Sequence, residues 1–383
     1  MSIFYAIQDV PIHSVLLLPS QDTALNFPTG DITLAFCESC GFITNLAYNP
    51  AIQEYSIGYE ATQAYSPTFN AFANRLANRL VEDYDLHDKD IIEIGCGQGE
   101  FLTQLCDLGG NRGVGFDPAY HQNKDEFDSN NQINYISDFY SEKYTGYQAD
   151  FICCKMTLEH IHPPIDLVRT VRRSLGAHSD TTVFFQVPDI KRILEEFAFW
   201  DIYYEHCSYF SLGTLARLFR RSGFDVVNIA REYENQYLMI EARAGEGMIG
   251  KIFEAEDDLT LLKQAVSHFA ASVPNQIERL RQNLHDFTAA GKKVVIWGAG
   301  SKGVSLLTTL NIRSQIKYAV DINPNKYGTY MAGTGQEIVS PEFLIQYQPD
   351  MVVVMNPIYT KEIEQSIAQL DIDTKILPIT HKW

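Results

Sequence analysis

The stretch DIIEIGCGQGEFL, residues 90–102, decides the fold. An apolar run of strand character leads into three glycines at alternate positions, Gly95, Gly97 and Gly99, which open onto a helix-period segment, GEFLTQLCDLG (99–109). Where a strand turns into a helix through glycines, the first amides of the helix lack intrahelical partners and carry partial positive charge. A ligand with an anionic end can lie against them, because glycine leaves no side chain in the way. Outward from this point, apolar runs alternate with helical stretches: AFANRLANRLVEDYDL (71–86) before it, then RGVGFD (112–117), INYISD (133–138), ADFICCK (149–155), PIDLVRTVRRSLG (164–176) and TTVFFQVP (181–188) after it. That alternation predicts an α/β fold with a parallel sheet covered by helices. In such sheets the ligand sits beyond the strand ends, where the strand order reverses.

A chain of 383 residues with 45% hydrophobic content is long enough for two or three domains. Three regions are expected. Residues 1–70 are rich in Pro, Asn and aromatics, contain CESCG at 37–41 and show no long periodic segment. Residues 71–245 carry the alternating pattern. Residues 246–383 begin with a charged helical stretch containing Pro274 and return to the strand rhythm in KKVVIWGAG (292–300), IKYAVDIN (316–323) and DMVVVMN (350–356), which predicts a second α/β domain. The N-terminal MSIFYAIQDVPIHSVLLLPS has neither a basic leader region nor a sustained apolar run, so a cytoplasmic protein without membrane spans is expected. Seven scattered cysteines fit reduced thiols. A net charge of −18 argues against a nucleic-acid partner and for a small-molecule one.

Asp117, at the tip of the strand after the loop, stands about twenty residues on, where nucleoside-binding folds place an acid for ribose hydroxyls. The order E-x-G-x-G-x-G (93–99), Asp117, Asp138 in ISDFY and DFICCKMTLEHIHPP (150–164) resembles the class I S-adenosylmethionine-dependent methyltransferases. The resemblance implies that Glu93 and Gly95, Gly97 and Gly99 belong to the cofactor loop, with the glycines near its methionine part. It further implies that Asp117 holds the ribose, that Asp138 and Phe139 bracket the adenine, and that Met156 to His160, Glu159 included, lies under the sulfonium. An NAD reading of this loop fits less well, since its third glycine follows at an interval of two rather than three.

Methyl transfer to carbon or oxygen also needs a base. In FAFWDIYYEHCSYFS (197–211), Tyr203, Glu205 and His206 crowd together, and an imidazole titrates near neutrality. The alternative is that His206 is a hydrogen-bonded core residue among aromatics; His160 and His162 read as flanking a strand end. Tyr203 to Ser211 is similar to the Y-x-E-H-x-S-Y-F-S signature of the sugar C-methyltransferases, and VDINPNKYGTYMAGT (320–334) and NPIYTKEI (356–363) echo that family's C-terminal motifs. The likeness implies three parts: a zinc-ribbon-like module at 1–70, a methyltransferase domain at 71–245 and a Rossmann-like substrate-binding domain at 246–383. It implies C-methylation of a nucleotide-linked ketosugar with His206 as the base. Tyr203 and Glu205 would hold the sugar or orient the imidazole, and Tyr59 would line the pocket. Lys302 would meet phosphate, and Asn356 and Tyr359 would face the acceptor.

A second loop, GAGSKG with Gly298, Gly300 and Gly303, satisfies G-x-G-x-x-G after a strand, with Asp321 ending the next strand. The motif alone reads as a dinucleotide site; the resemblance assigns it instead to the substrate's nucleotide. Cys37 and Cys40 supply two of the four ligands that structural zinc wants, with His13 as a third candidate, so an incomplete metal site in a zinc-free ribbon remnant is expected. Cys96, Cys106, Cys153, Cys154 and Cys207 read as packing residues. The rival functions are an O- or N-methyltransferase of another metabolite, a non-catalytic nucleotide-binding protein and, ranked last, an NAD-dependent oxidoreductase.

Overall fold

Period-two alternation near the N-terminus is interrupted twice, and the computed structural model, which describes residues 1–53, 58–121, 132–176, 180–245 and 251–380, shows why. Strand β1 (Ser2–Pro11) pairs antiparallel with β2 (Thr29–Phe36), and its register slips between Ile3 and Tyr5 and again between Ile7 and Val10, where Asp9 takes a left-handed φ of 55°. Each slip flips the sequence phase of inward and outward side chains. The expectation of no long periodic segment in residues 1–70 is therefore corrected: a ten-residue strand lies there, hidden by its bulges. A short helix α1 (Gln21–Leu25), capped by Ser20, separates the two strands, and β3 (Ile43–Asn45) follows.

The central region starts with α2 (Pro67–Tyr84). Ser66 caps it by accepting from the Phe69 amide, Pro67 occupies its first turn, and Phe72, Leu76, Ala77, Leu80 and Val81 form its buried stripe. Then come β4 (Asp90–Ile94), α3 (Glu100–Gly109), β5 (Arg112–Phe116), β6 (Ile133–Ile136), β7 (Phe151–Lys155), α4 (Pro164–Ser174), β8 (Thr182–Pro188) and α5 (Ile190–Glu195). Strand β9 (Ser208–Tyr209), helix α6 (Leu212–Arg221) and the hairpin β10 (Phe224–Glu232) and β11 (Tyr237–Ala244) complete it. The sheet runs β6-β5-β4-β7-β8-β11-β10, parallel from β6 to β8 and antiparallel through the last two strands. Its order reverses at β4, the strand that feeds the first glycine loop. Strand β9 leaves this sheet and pairs with β3, Tyr209 opposite Ile43, so the N-terminal sheet is completed by the central region.

Helix α7 (Leu259–Ala289) runs through Pro274 and buries Leu262, Val266, Phe269, Val273, Leu280 and Leu284 along one face. It leads into β12 (Val294–Trp297), α8 (Ser301–Thr309), β13 (Ile316–Val320), β14 (Glu337–Val339), α9 (Phe343–Tyr347), β15 (Met351–Val354), α10 (Thr360–Gln369) and β16 (Lys375–Pro378). This sheet is all parallel, ordered β14-β13-β12-β15-β16, and reverses at β12, which feeds the second glycine loop. The expected boundary at 245/246 borders residues outside the described set. One apolar cluster joins Ile32 and Leu34 of β2 through α7 to Ile296 and Val353 of the C-terminal sheet, so the N-terminal sheet shares its core with the far end of the chain.

Phe269 is fully buried where that shared core meets Phe4 and Tyr5 edge-on, at ring separations of 6.1 and 5.7 Å. Truncating it leaves a cavity and removes both aromatic contacts. Phe269→Ala is expected to destabilise the protein by about 3–5 kcal/mol, read as a lowered denaturant midpoint of the first unfolding transition; a midpoint within error of the parent would contradict this packing.

Candidate active site

Both glycine loops open onto one cleft of about 1380 Å³. At its first end, Gly95, Gly97 and Gly99 all have positive φ, at 71°, 57° and 91°. A methyl group on Gly95 would collide with Thr157, and one on Gly99 with Tyr135, whereas a methyl on Gly97 would meet no atom within 4 Å. Gly97 is thus the glycine whose missing side chain leaves open space. Asp117 holds the turn through its own carboxylate, which accepts from the Gly97 amide at 2.9 Å and the Ala119 amide at 2.8 Å. Among the described residues no cation pairs with it, so it keeps lone pairs for a ligand's hydroxyls. Asp138 accepts from the Tyr144 hydroxyl at 2.6 Å, and the exposed Phe139 stands beside it on the cleft wall. Beneath the loop Glu93 is buried, and burial, opposed by Lys155, pushes its carboxyl up to about 8. An open Gly97 and an Asp117 with lone pairs to spare fit a nucleoside cofactor such as S-adenosylmethionine at this end.

Midway along the cleft lies the imidazole. His206 is 4% exposed, its ring centroid 4.2 Å from that of Tyr203 and 4.7 Å from that of His160. Its Nε2 is 3.9 Å from a carboxyl oxygen of Glu159, and its Nδ1 has no hydrogen-bond partner among the described residues. Burial, then the neighbouring His160 and Lys302, hold His206 well below the usual imidazole range, so it is neutral at pH 7. Burial also pushes Glu159 up to about 8, leaving it a neutral acid at pH 7. Met156, at the mouth of β7, adopts a left-handed φ of 50°, a strained backbone that the surrounding strand end has to hold.

The second loop repeats the first loop's latch. Asp321 accepts from the Ala299 amide at 3.0 Å and the Asn323 amide at 2.9 Å, as Asp117 does from Gly97 and Ala119. The difference is Lys326, whose buried ammonium donates to Asp321 at 3.1 Å. Lys326 offsets the charge of that carboxylate, so the acid of the second loop is less free to hold a dinucleotide's ribose than Asp117 is.

Several expected site residues stand elsewhere than expected. Glu205 does not touch His206; buried behind the cleft wall, it accepts from His13 Nδ1 at 3.1 Å, from the Ser14 amide at 3.2 Å and from the Ser14 hydroxyl. Burial works against its charge, but His13, His160 and Ser14 outweigh it and hold Glu205 below the ordinary range. The carboxyl beside the imidazole is Glu159 instead. Lys302 lines the cleft with its ammonium bonded to buried Asp201, so it is not a free phosphate ligand. Asn356 exchanges two 3.0 Å hydrogen bonds with Gln236, and the Tyr359 hydroxyl donates to Gln63 at 2.9 Å and meets Tyr233 at 2.8 Å, so both also tie the C-terminal sheet to the rest. Tyr59 lies on the cleft wall, its ring 6.1 Å from that of His13. His13 is no third ligand for Cys37 and Cys40: among the described residues those thiols belong to no cluster of three metal-binding side chains, and Cys37 Sγ lies 3.2 Å from Ser39 Oγ. The one such cluster is Glu159, His160 and His206. Reading the sequence missed Ser14, Arg192 and Asp201, none of which sits in a recognisable motif.

Comparison with known proteins agrees with this geometry. A methyltransferase domain model matches residues 66–229, and a C-methyltransferase C-terminal domain model matches residues 237–376. The C-methyltransferase NovU of Streptomyces niveus is 26% identical over 362 residues, covering 91% of this chain and 85% of that protein. Among solved structures, magnesium protoporphyrin IX methyltransferase of Synechocystis with bound SAH overlays with a TM-score of 0.38 at 13% identity, covering 46% of this chain and 84% of that one. The 1,6-didemethyltoxoflavin-N1-methyltransferase of Burkholderia thailandensis gives 0.35 at 16% identity, covering 53% and 96%. Overlays that loose carry no argument about the reaction.

The glycine geometry separates folding from binding. Gly95→Ala, which collides with Thr157, is expected to lower the melting temperature by several degrees. Gly97→Ala should cost only the left-handed backbone penalty of about 1–2 kcal/mol yet weaken S-adenosylhomocysteine binding by at least about tenfold, as measured by calorimetry. Equal effects on melting and binding in the two variants would contradict the assignment of Gly97 to the ligand side.

Proposed function

The chain is a class I S-adenosylmethionine-dependent methyltransferase of the C-methyltransferase family, and on that premise we propose that it methylates the carbon next to a ketone on a nucleotide-linked sugar, with His206 as the base. One observation carries the reading: a buried, neutral imidazole with an unpartnered nitrogen lies in the cleft that joins the two glycine loops. We further propose that residues 71–245 hold the cofactor and residues 246–383 hold the acceptor's nucleotide, with Tyr203, Tyr59, Asn356 and Tyr359 toward the sugar.

A ketone acidifies the adjacent C–H, so the proton moves to His206 and an enolate remains. Bound S-adenosylmethionine supplies a methyl group made electrophilic by its positive sulfur. Because His206 is desolvated, its conjugate acid would be a buried cation without water, and it needs a counter-charge. Glu159, 3.9 Å from Nε2, can supply that charge once it has given up its own proton to solvent in the cleft. Tyr203 covers the ring and keeps the imidazole plane fixed. Rigid placement matters because an alignment error of about 1 Å can cost about a hundredfold in rate.

Two outcomes are expected. Enzyme without cofactor should exchange the α-hydrogen of a nucleotide-linked 4-ketosugar in deuterated water, and His206→Ala should slow that exchange by at least about a hundredfold; undiminished exchange in the variant rules His206 out. For the pH profile, an imidazole held below its usual value places the acid limb below about 6.5. The rate should rise as pH passes about 8, where Glu159 loses its proton and its carboxylate can stabilise the imidazolium. Glu159→Gln should remove that rise, and persistence of the rise would assign it to another group.

A further inference from the structure

Three buried polar atoms on the cleft residues make no hydrogen bond among the described residues: both carboxyl oxygens of Glu159 and the Nδ1 of His206. Their side chains are 1% and 4% exposed, and groups so buried rarely stay unsatisfied unless a water or an ion belongs beside them. A third donor stands next to them. The His160 ring lies 4.7 Å from that of His206 and at 88° to it, and one ligand atom from each of Glu159, His160 and His206 lies within 4.8 Å of the others. The backbone explains the meeting. Glu159 and His160 share the single turn Leu158–His160 that follows β7, and the Cys207 thiol ties that turn to the segment carrying His206 by donating to the Glu159 carbonyl at 3.4 Å. All three residues line the cleft, so the group is reached from solvent. The His160 ring is also hydrogen-bonded to the Glu205 backbone. Metal-binding imidazoles commonly spend their second nitrogen in this way, which fixes tautomer and orientation.

We propose that Glu159, His160 and His206 bind a divalent transition-metal ion of the zinc, cobalt or nickel class, and that the bound ion silences methyl transfer by occupying the base. Two imidazoles and one carboxylate favour such ions over magnesium or calcium, which ask for six or more oxygen ligands. An ion held at about 2.0–2.2 Å from each ligand needs the ligand atoms roughly 3–4 Å apart, so small side-chain rotations complete the set and the cleft leaves the fourth position to water. The ion brings the counter-charge that a buried carboxylate needs, and the Glu159 proton leaves to solvent in the cleft. A neutral imidazole has one basic lone pair, so a His206 that binds the ion has none left for a substrate proton. The binding site stands on the ligand geometry; its effect on turnover rests on the proposed role of His206 as the base.

Calorimetry of the full chain with zinc chloride, and visible absorption on adding cobalt chloride, test this without turnover. Wild type should bind zinc with a Kd of about 10 μM or tighter, show the absorption of a low-symmetry cobalt site, and melt at a higher temperature with zinc present. Magnesium chloride should do neither. Glu159→Gln and His160→Gln should each weaken zinc by at least about tenfold, and Glu159→Asp, which keeps a carboxylate, should retain part of the affinity. Melting of each variant without metal reports its fold. Because CESCG offers the other thiol-based place for zinc, the double variant Cys37→Ser, Cys40→Ser should bind as wild type does. Zinc binding that is lost with those cysteines, that is undiminished in both Glu159→Gln and His160→Gln, or that is missing from wild type would overturn the proposal. Saturating zinc should also abolish α-hydrogen exchange on the ketosugar. If zinc binds the intact cluster and exchange continues, the silencing falls and so does His206 as the base; if zinc does not bind and metal-free exchange still requires His206, the base reading stands and the metal site falls.

Discussion

A thirteen-residue segment, 199–211, holds His206 by being bonded on both sides, and the rest of the site depends on that constraint. On one side, the Cys207 carbonyl accepts from the Asn45 amide at 3.0 Å and the Thr44 hydroxyl at 2.7 Å, Ser208 and Tyr209 pair with β3, and the Tyr204 hydroxyl accepts from the Asn49 amide at 2.9 Å. On the other, the Ile202 carbonyl accepts from the Ser305 hydroxyl at 2.7 Å and Asp201 holds Lys302. His206 is carried between these attachments. A base in this position is dry, rigid and neutral, and each property follows from burial: desolvation suppresses the imidazolium and close packing fixes the ring. The cost is weak intrinsic basicity, which a neighbouring acid offsets in part once it is ionised.

The N-terminal sheet takes its meaning from the same constraint. It lacks its fourth strand until β9 joins it, and its core continues into the C-terminal sheet. Its contribution to the site is mechanical: His13 and Ser14 reach Glu205, and the Ser14 hydroxyl, whose proton goes to Glu205, accepts from the Ser301 hydroxyl at 2.7 Å, at the start of α8. Glu205, which looks in the sequence like a partner of the adjacent histidine, is the anchor of this cross-chain bond. The two glycine loops share one latch design and differ in a single charge, Lys326. That charge offsets Asp321, and among the described residues no such cation pairs with Asp117.

Much of the fold was legible because local signals coincide with tertiary ones. Every strand of the central parallel set reads as an apolar run, and Gly95, Gly97 and Gly99 sit at a turn that requires positive φ. Met156, His206 and Tyr203 all line one cleft. Strand β1 was obscured by its bulges, and the hairpin of β10 and β11 by exposed residues such as Val227 that blur the alternation. The roles of Glu159 and Glu205 could not be told apart, since which carboxyl faces the imidazole depends on pairing across more than forty residues. Arg192 and Asp201 escaped notice for a similar reason: each is one charge on a short helical turn, and only folding brings Lys302 to them from a hundred residues away.

The central claim is that donor and acceptor meet in one cleft across a buried imidazole. A crystal structure of the protein with S-adenosylhomocysteine and thymidine diphosphate bound together tests it most directly. The account predicts the ribose of the first ligand on Asp117, its sulfur facing the His206 side of the cleft, and the diphosphate on the wall of the second loop. A homocysteine chain turned away from His206, or the two ligands competing for one loop, would contradict it.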